Sequence, residues 1–190
     1  MSDPTVTPGA ADPAGASRAV RLPAGAAAGP RTGAAAAGRI RRLWDRFSAR
    51  PGGKRLFSWL AGRMAPYTGT IGARVEELRE GHARLTMRDR RRVRNHLRSV
   101  HAVAQLNLAE AASGLAVMYS MPAHLRGIPV RLEIDYLKKA RGTITAVSEL
   151  PGPIPEPADG GRADFEVPVT LTDPTGEVVA RAKARWVIGR

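Results

Sequence analysis

The chain has no cysteine, which excludes disulfides and thiolate metal sites. Histidine is scarce. His82, His96, His101 and His124 include no pair at the spacing of a helical metal site, so no metal is expected. No apolar run approaches the ~18 residues of a membrane-spanning helix, so no transmembrane segment is expected. The first 38 residues contain no aromatic residue, and Leu22 is their only large aliphatic besides two Val. Such an Ala/Gly/Pro-rich stretch buries too little apolar surface to offset the entropy of ordering it. Residues 1–38 therefore read as a disordered tail. The tail lacks the continuous apolar stretch of a secretory signal, and a cytoplasmic location is expected.

Acidic residues are the minority: 17 Asp and Glu against 30 Lys and Arg give a formal charge of +13. An excess of that size invites a nucleic-acid reading. Its distribution argues otherwise. Residues 39–64 hold eight Arg or Lys and one Asp, a net of +7. Over half the excess thus sits in one short segment, and a solvated basic face accounts for it. Nucleic acid is not the expected partner, though a nucleic-acid-associated basic protein stays open as a third reading.

The same segment, RIRRLWDRFSARPGGKRLFSWLAGRM, is where large apolar residues first gather. Ile40, Leu43, Trp44 and Phe47 fit helical spacing; Pro51, Gly52 and Gly53 interrupt; Leu56, Phe57, Trp59, Leu60 and Met64 resume it. Two short amphipathic helices are expected here as a basic extension. The leading expectation is a cover packed on the following domain, with Trp44, Phe47, Phe57 and Trp59 buried. A basic helix facing a membrane surface or a partner is the alternative.

Residues 65–190 form the expected domain. Near-alternation over Thr70–Leu78, then Ala83, Leu85 and Met87, reads as a hairpin turning at Gly81. Four further strands are expected around Val130–Tyr136, Ile144–Ser148, Phe165–Leu171 and Val178–Trp186. PGPIPEPADGG at 151–161 is a loop that no strand accommodates. Between the hairpin and those four strands lies NHLRSVHAVAQLNLAEAASGL, residues 95–115. No Pro or Gly interrupts Val100–Ser113, and its residues are apolar nearly all the way round, so a buried helix is expected. Asn107, Glu110, Ser113 and Gly114 share one arc of it. A lone acid in a buried helix is either paired or put to use. Two strands, one helix and four strands indicate α+β, with an antiparallel sheet of about six strands.

The sequence NHLRSVHAVAQLNLAEAASG resembles the loop-and-helix signature of the phenylacetate-type acyl-CoA thioesterases of the hotdog-fold superfamily. That signature is an Asn, a His and an acid nine residues past the His, here Asn95, His101 and Glu110. LEIDYLKKARGTITA (132–146) and LTDPTGEVVARAKARWVI (171–188) are similar to the family's later strand pairs. The likeness covers residues 65–190, and it is greatest to a subfamily with a helical N-terminal extension and no assured substrate. The chain departs from the pattern where Arg98, Ala102 and Val103 replace glycines.

The resemblance implies a long central helix wrapped by the sheet. It implies an acyl-CoA substrate, with no cofactor beyond the coenzyme A of the thioester itself. The Ala102 amide would polarise the thioester carbonyl, Glu110 would act as general base or nucleophile, Ser113 would orient water, and Asn95 would position the thioester. His101, Asn107 and Arg98 are candidate substrate-binding residues, and the Arg88–Arg98 cluster is a candidate cradle for coenzyme A phosphates. His101 and Glu110 stand ~13.5 Å apart along a helix and ~180° around it. One helix cannot bring its N-terminus and Glu110 to one small site, but two antiparallel helices can. A homodimer or dimer of dimers is therefore expected, and the resemblance implies that Glu110 faces the partner's Asn95 and Ala102. A non-catalytic acyl-CoA-binding module on the same fold is the alternative function.

Overall fold

The computed structural model describes residues 32–158 and 160–190. Residues 1–31 of the expected tail lie outside the described residues. Helix α1, Thr32–Phe47, starts ahead of the expected boundary at residue 39; its first turns contain a run of Ala, the strongest helix former. Helix α2 spans Gly53–Met64. The turn between them needs glycine. Gly52 takes φ 75°, and a Cβ on Gly53 would lie 1.7 Å from the Phe47 carbonyl oxygen.

Trp44 of α1 and Phe57 of α2 meet edge to face, with ring centroids 5.1 Å apart. They are 6% and 1% exposed and belong to the main core. Trp59, expected beside them, is instead 59% exposed. It follows Phe57 by two residues and so projects ~200° around the helix from it. One side of α2 covers the domain and the other faces out.

A short helical turn α3, Pro66–Gly69, comes next. Strand β1, Arg74–Arg79, begins later than the expected Thr70 because the chain first turns at Gly72, φ 59°. The remaining elements are β2 (His82–Met87), α4 (Ala102–Ser120), β3 (Arg126–Tyr136), β4 (Ile144–Glu149), β5 (Ala163–Thr172) and β6 (Val178–Gly189). The strands form one six-stranded sheet in the order β1-β2-β4-β5-β6-β3, every neighbouring pair antiparallel. This is the α+β arrangement the sequence pattern implies.

Helix α4 packs against all six strands. Alternate residues of β5 and β6 supply the sheet side of that contact, among them Phe165, Val167, Val169, Leu171, Ala180, Ala182, Ala184, Trp186 and Ile188, all buried. Leu108, Ala112, Ala116 and Val117 of α4 are fully buried. The helix is not buried all round: Val103 is exposed and Leu106, Glu110 and Gly114 are half-buried along one face.

Among the described residues strand β3 is an edge, bonded only to β6. Its Leu132, Ile134 and Tyr136 lie opposite Ala184, Ala182 and Ala180, which places them on the helix side of the sheet. Leu132 and Tyr136 are exposed there. On the other side Glu133 and Asp135 face Lys183 and Arg181, a pairing of opposite charges. Among the described residues no helix is long and apolar enough to cross a membrane.

Candidate functional site

The loop ahead of α4 is held from several directions. The Arg94 Nε donates to Asp89 Oδ1 at 2.6 Å, and the Gly142 amide donates to Asp89 Oδ2 at 3.2 Å. The Arg94 hydrogen bond and the Gly142 amide hold the Asp89 carboxyl below its ordinary value. The Arg90 guanidinium donates to the Ile71 carbonyl at 2.8 Å. The Val100 amide donates to Ala140 and the His101 amide to Val93, at 2.9 and 2.8 Å.

Within this frame Asn95 builds a turn. Its Oδ1 accepts from the Leu97 amide at 2.9 Å, the Ser99 amide at 3.2 Å and the Ser99 hydroxyl at 3.1 Å. The Arg98 amide donates to the Asn95 carbonyl at 3.2 Å. Arg98 has φ 55°, the sole positive φ outside glycine among the described residues. That left-handed geometry is what the glycine of the related signature supplies at no steric cost. The Arg98 side chain is exposed.

His101 caps α4: its Nδ1 accepts from the Val103 amide at 3.1 Å. The Ala102 amide, in the first turn, has no acceptor among the described residues. At 2.9 Å the Tyr136 hydroxyl donates to the Ala102 carbonyl, tying the end of β3 to the start of the helix. Burial raises the Tyr136 pKa. Beside this terminus lies a cavity of about 450 Å³ lined by Tyr67, Thr70, Arg92, Arg94, His101 and Asn107 among others. The Asn107 amide nitrogen reaches the Tyr67 carbonyl at 3.5 Å, while its Oδ1 is buried without a partner. Arg94 is occupied by Asp89; Arg92 has no ion pair among the described residues.

Glu110 lines a second, larger groove of about 980 Å³ between α4 and the α2–α3 segment. Ala61, Gly62, Ala65, Leu115 and Met118 make much of its wall apolar, with Trp59 and Arg63 also lining it. The Glu110 carboxylate has no hydrogen bond or ion pair among the described residues. Burial alone raises its pKa. Ser113 does not join it in the groove. Fully buried, it donates its hydroxyl to the Glu110 carbonyl oxygen at 3.0 Å.

The polar arc read along the helix is thus divided. His101 and Asn107 line the smaller cavity and Glu110 the larger, while Asn95, Arg98, Ala102 and Ser113 line neither; Thr70 borders both cavities. Within one chain Ala102 and Glu110 are eight residues apart, ~12 Å along the helix axis. Sequence reading placed Arg92 in the Arg88–Arg98 cluster but missed Tyr67 and the groove wall from α2. No local pattern marks these two, because the chain reversal at α3 is what brings them to α4.

A family model described as a domain of unknown function, DUF4442, matches residues 53–188. A structural-genomics crystal structure is 30% identical, with 80% of this chain and 98% of that one covered and a TM-score of 0.68. A Pseudomonas aeruginosa protein of unknown function, described as a probable thioesterase, is 25% identical over 70% of this chain and 93% of its own, TM-score 0.61. A thioesterase family protein from Silicibacter pomeroyi shares the fold at 21% identity, over 69% and 94%, TM-score 0.58. No curated protein matches the chain. The six-stranded antiparallel sheet around one central helix is a thioesterase-like hotdog fold.

Proposed function

The chain belongs to the DUF4442 family, and from that premise we propose that it is an acyl-CoA thioesterase working as a homodimer. One observation carries the reading. Glu110 is a half-buried carboxylate without a partner among the described residues, its pKa raised by burial, set in the apolar wall of a groove. Structural acids at such depth are ordinarily paired; an acid held without a partner is poised to take a proton.

In the proposed reaction Glu110 takes a proton from water as the water oxygen bonds to the thioester carbonyl carbon. The Ala102 amide of the other subunit, at the positive end of α4, stabilises the oxyanion. Collapse breaks the carbon–sulfur bond, and the proton passes from Glu110 to the leaving thiolate. A free acid and coenzyme A result, and no further cofactor enters. Arg92 lines the cavity beside the α4 N-terminus and would meet a phosphate of coenzyme A. Asn95 contributes by shaping the loop, since its side-chain oxygen is already committed there.

The dimer is supported by the exposed edge of β3 and by the open face of α4, both apolar and both on one side of the sheet. Antiparallel pairing of two copies would bring each Glu110 toward the other chain's helix N-terminus, which one chain alone cannot do.

The experiment is acyl-CoA hydrolysis by wild type and Glu110→Gln. A fall of at least ~10²-fold with substrate binding retained is expected for loss of a general base. A specific observation favours a second reading, a non-catalytic acyl-CoA-binding module: the polar groups of Asn95 and Ser113 are both spent inside the fold. Wild type that binds acyl-CoA yet hydrolyses none of a broad panel would establish that reading instead.

A further inference from the structure

Helix α2 has two faces, and the cover it provides for the core uses only one. Phe57 is buried, and the Ser58 hydroxyl accepts from the Val75 amide of β1 at 2.9 Å. On the outer face Arg55, Leu56, Trp59 and Arg63 share an arc of about 100° and all are exposed. Met64, the last residue of α2, and Tyr67 beyond it extend this exposed apolar surface. The Arg63 guanidinium stacks over Trp59, 5.0–6.0 Å being the range of such contacts here and 5.3 Å the distance to this ring centroid.

We propose that this outer face of α2 docks the protein on an anionic lipid surface. The chemistry matches in both respects. Trp and Tyr with aliphatic neighbours suit the boundary between headgroups and acyl chains, and flanking Arg suits anionic headgroups. Helix α2 carries three basic residues and no acid. A second copy of the chain would bring the same positive charge to the same patch, and like charges oppose that pairing. A nucleic acid would use the arginines and stack on Trp59 but would leave Leu56 and Met64 without a role. Trp59, Arg63 and Met64 also line the Glu110 groove, so docking sets the α2 side of that groove beside the lipid. The proposal stands on the exposed face alone and holds whether or not Glu110 is catalytic.

The distribution of tryptophan gives a direct test. Of three Trp in the chain, Trp44 and Trp186 are 6% and 4% exposed, against 59% for Trp59. Emission changes on docking therefore report Trp59. The full chain is titrated with vesicles of phosphatidylcholine alone, and of phosphatidylcholine with phosphatidylglycerol, and sedimented with each. A blue shift and co-sedimentation confined to the anionic vesicles, weakened by salt, are expected. Removing Arg55 or Arg63 by substitution with Ala should cost about fivefold in affinity each. Trp59→Ala should cost at least ~10-fold in sedimentation, and its exposed position leaves folding, checked by circular dichroism, intact. Absence of binding to anionic vesicles, or binding unchanged in Trp59→Ala, overturns the proposal. So does a blue-shifted emission without vesicles that moves red on dilution, which places a second copy over Trp59. Tighter binding to a single-stranded oligonucleotide than to anionic vesicles overturns it too.

Discussion

Replacing Arg98 by glycine should stabilise the protein, and comparison with other substitutions separates that gain from any contact its guanidinium makes with acyl-CoA. Arg98 has φ 55°, a region that costs a residue with a Cβ roughly 1–2 kcal/mol. Glycine relieves that strain but returns roughly 0.5–1 kcal/mol through its greater freedom when unfolded. The net gain is about 0.5–1 kcal/mol, or about 1–4 °C in Tm for a chain of this size. The guanidinium makes no hydrogen bond or ion pair among the described residues, so its removal subtracts little from that figure. Arg98→Asn should recover part of the gain, because Asn tolerates the left-handed region, and Arg98→Ala should recover none. The assays are thermal and urea unfolding of the three variants beside wild type. If Arg98 also meets a coenzyme A phosphate, KM for acyl-CoA rises in all three while stability follows the order Gly, Asn, Ala. A destabilised Arg98→Gly, or a stability order set by side-chain size rather than backbone freedom, would refute the strain argument.

Activity should rise with pH through the raised pKa of Glu110, since only the carboxylate accepts a proton; the pH profile of kcat/KM measures it. The native state holds that proton more tightly than the unfolded chain does. Stability attributable to Glu110 is therefore full below the unfolded carboxyl pKa and declines as pH rises through the folded one, so Glu110→Gln should be more stable than wild type at neutral pH while less active, as urea unfolding can check. Leu132→Lys, on the helix side of the β3 edge, should reduce the sedimenting mass from at least twice 20.3 kDa to that of one chain. Hydrolysis should fall with it if the site is shared between subunits. Phe57→Ala, at a position 1% exposed and packed edge to face on Trp44, should cost ~3–5 kcal/mol in unfolding free energy.

Much of the architecture was legible in the residue pattern. Alternation in β4, β5 and β6 and the uninterrupted apolar run of α4 are local signals, and local signals survive folding because each is one face of one element. The Pro51–Gly53 break between α1 and α2 is of the same kind, since its backbone geometry admits few residues. The signature Asn95, His101 and Glu110 marked a loop and helix of which His101 and Glu110 each line a cavity, and the absent glycine at Arg98 pointed to a position that proves to be left-handed. What the pattern did not contain was direction relative to other elements. Asn107, Glu110 and Ser113 share one arc of a helix wheel, yet Ser113 is fully buried and bonded back to the Glu110 carbonyl, Asn107 reaches the α3 turn, and of the three only Glu110 lines the larger groove. Phe57 and Trp59 look alike as aromatics two residues apart, and only the position of the domain beneath α2 makes one a core residue and the other a surface one. Periodicity fixes angles within an element, whereas burial depends on which neighbours the chain returns to pack against it, and those neighbours come from distant parts of the sequence.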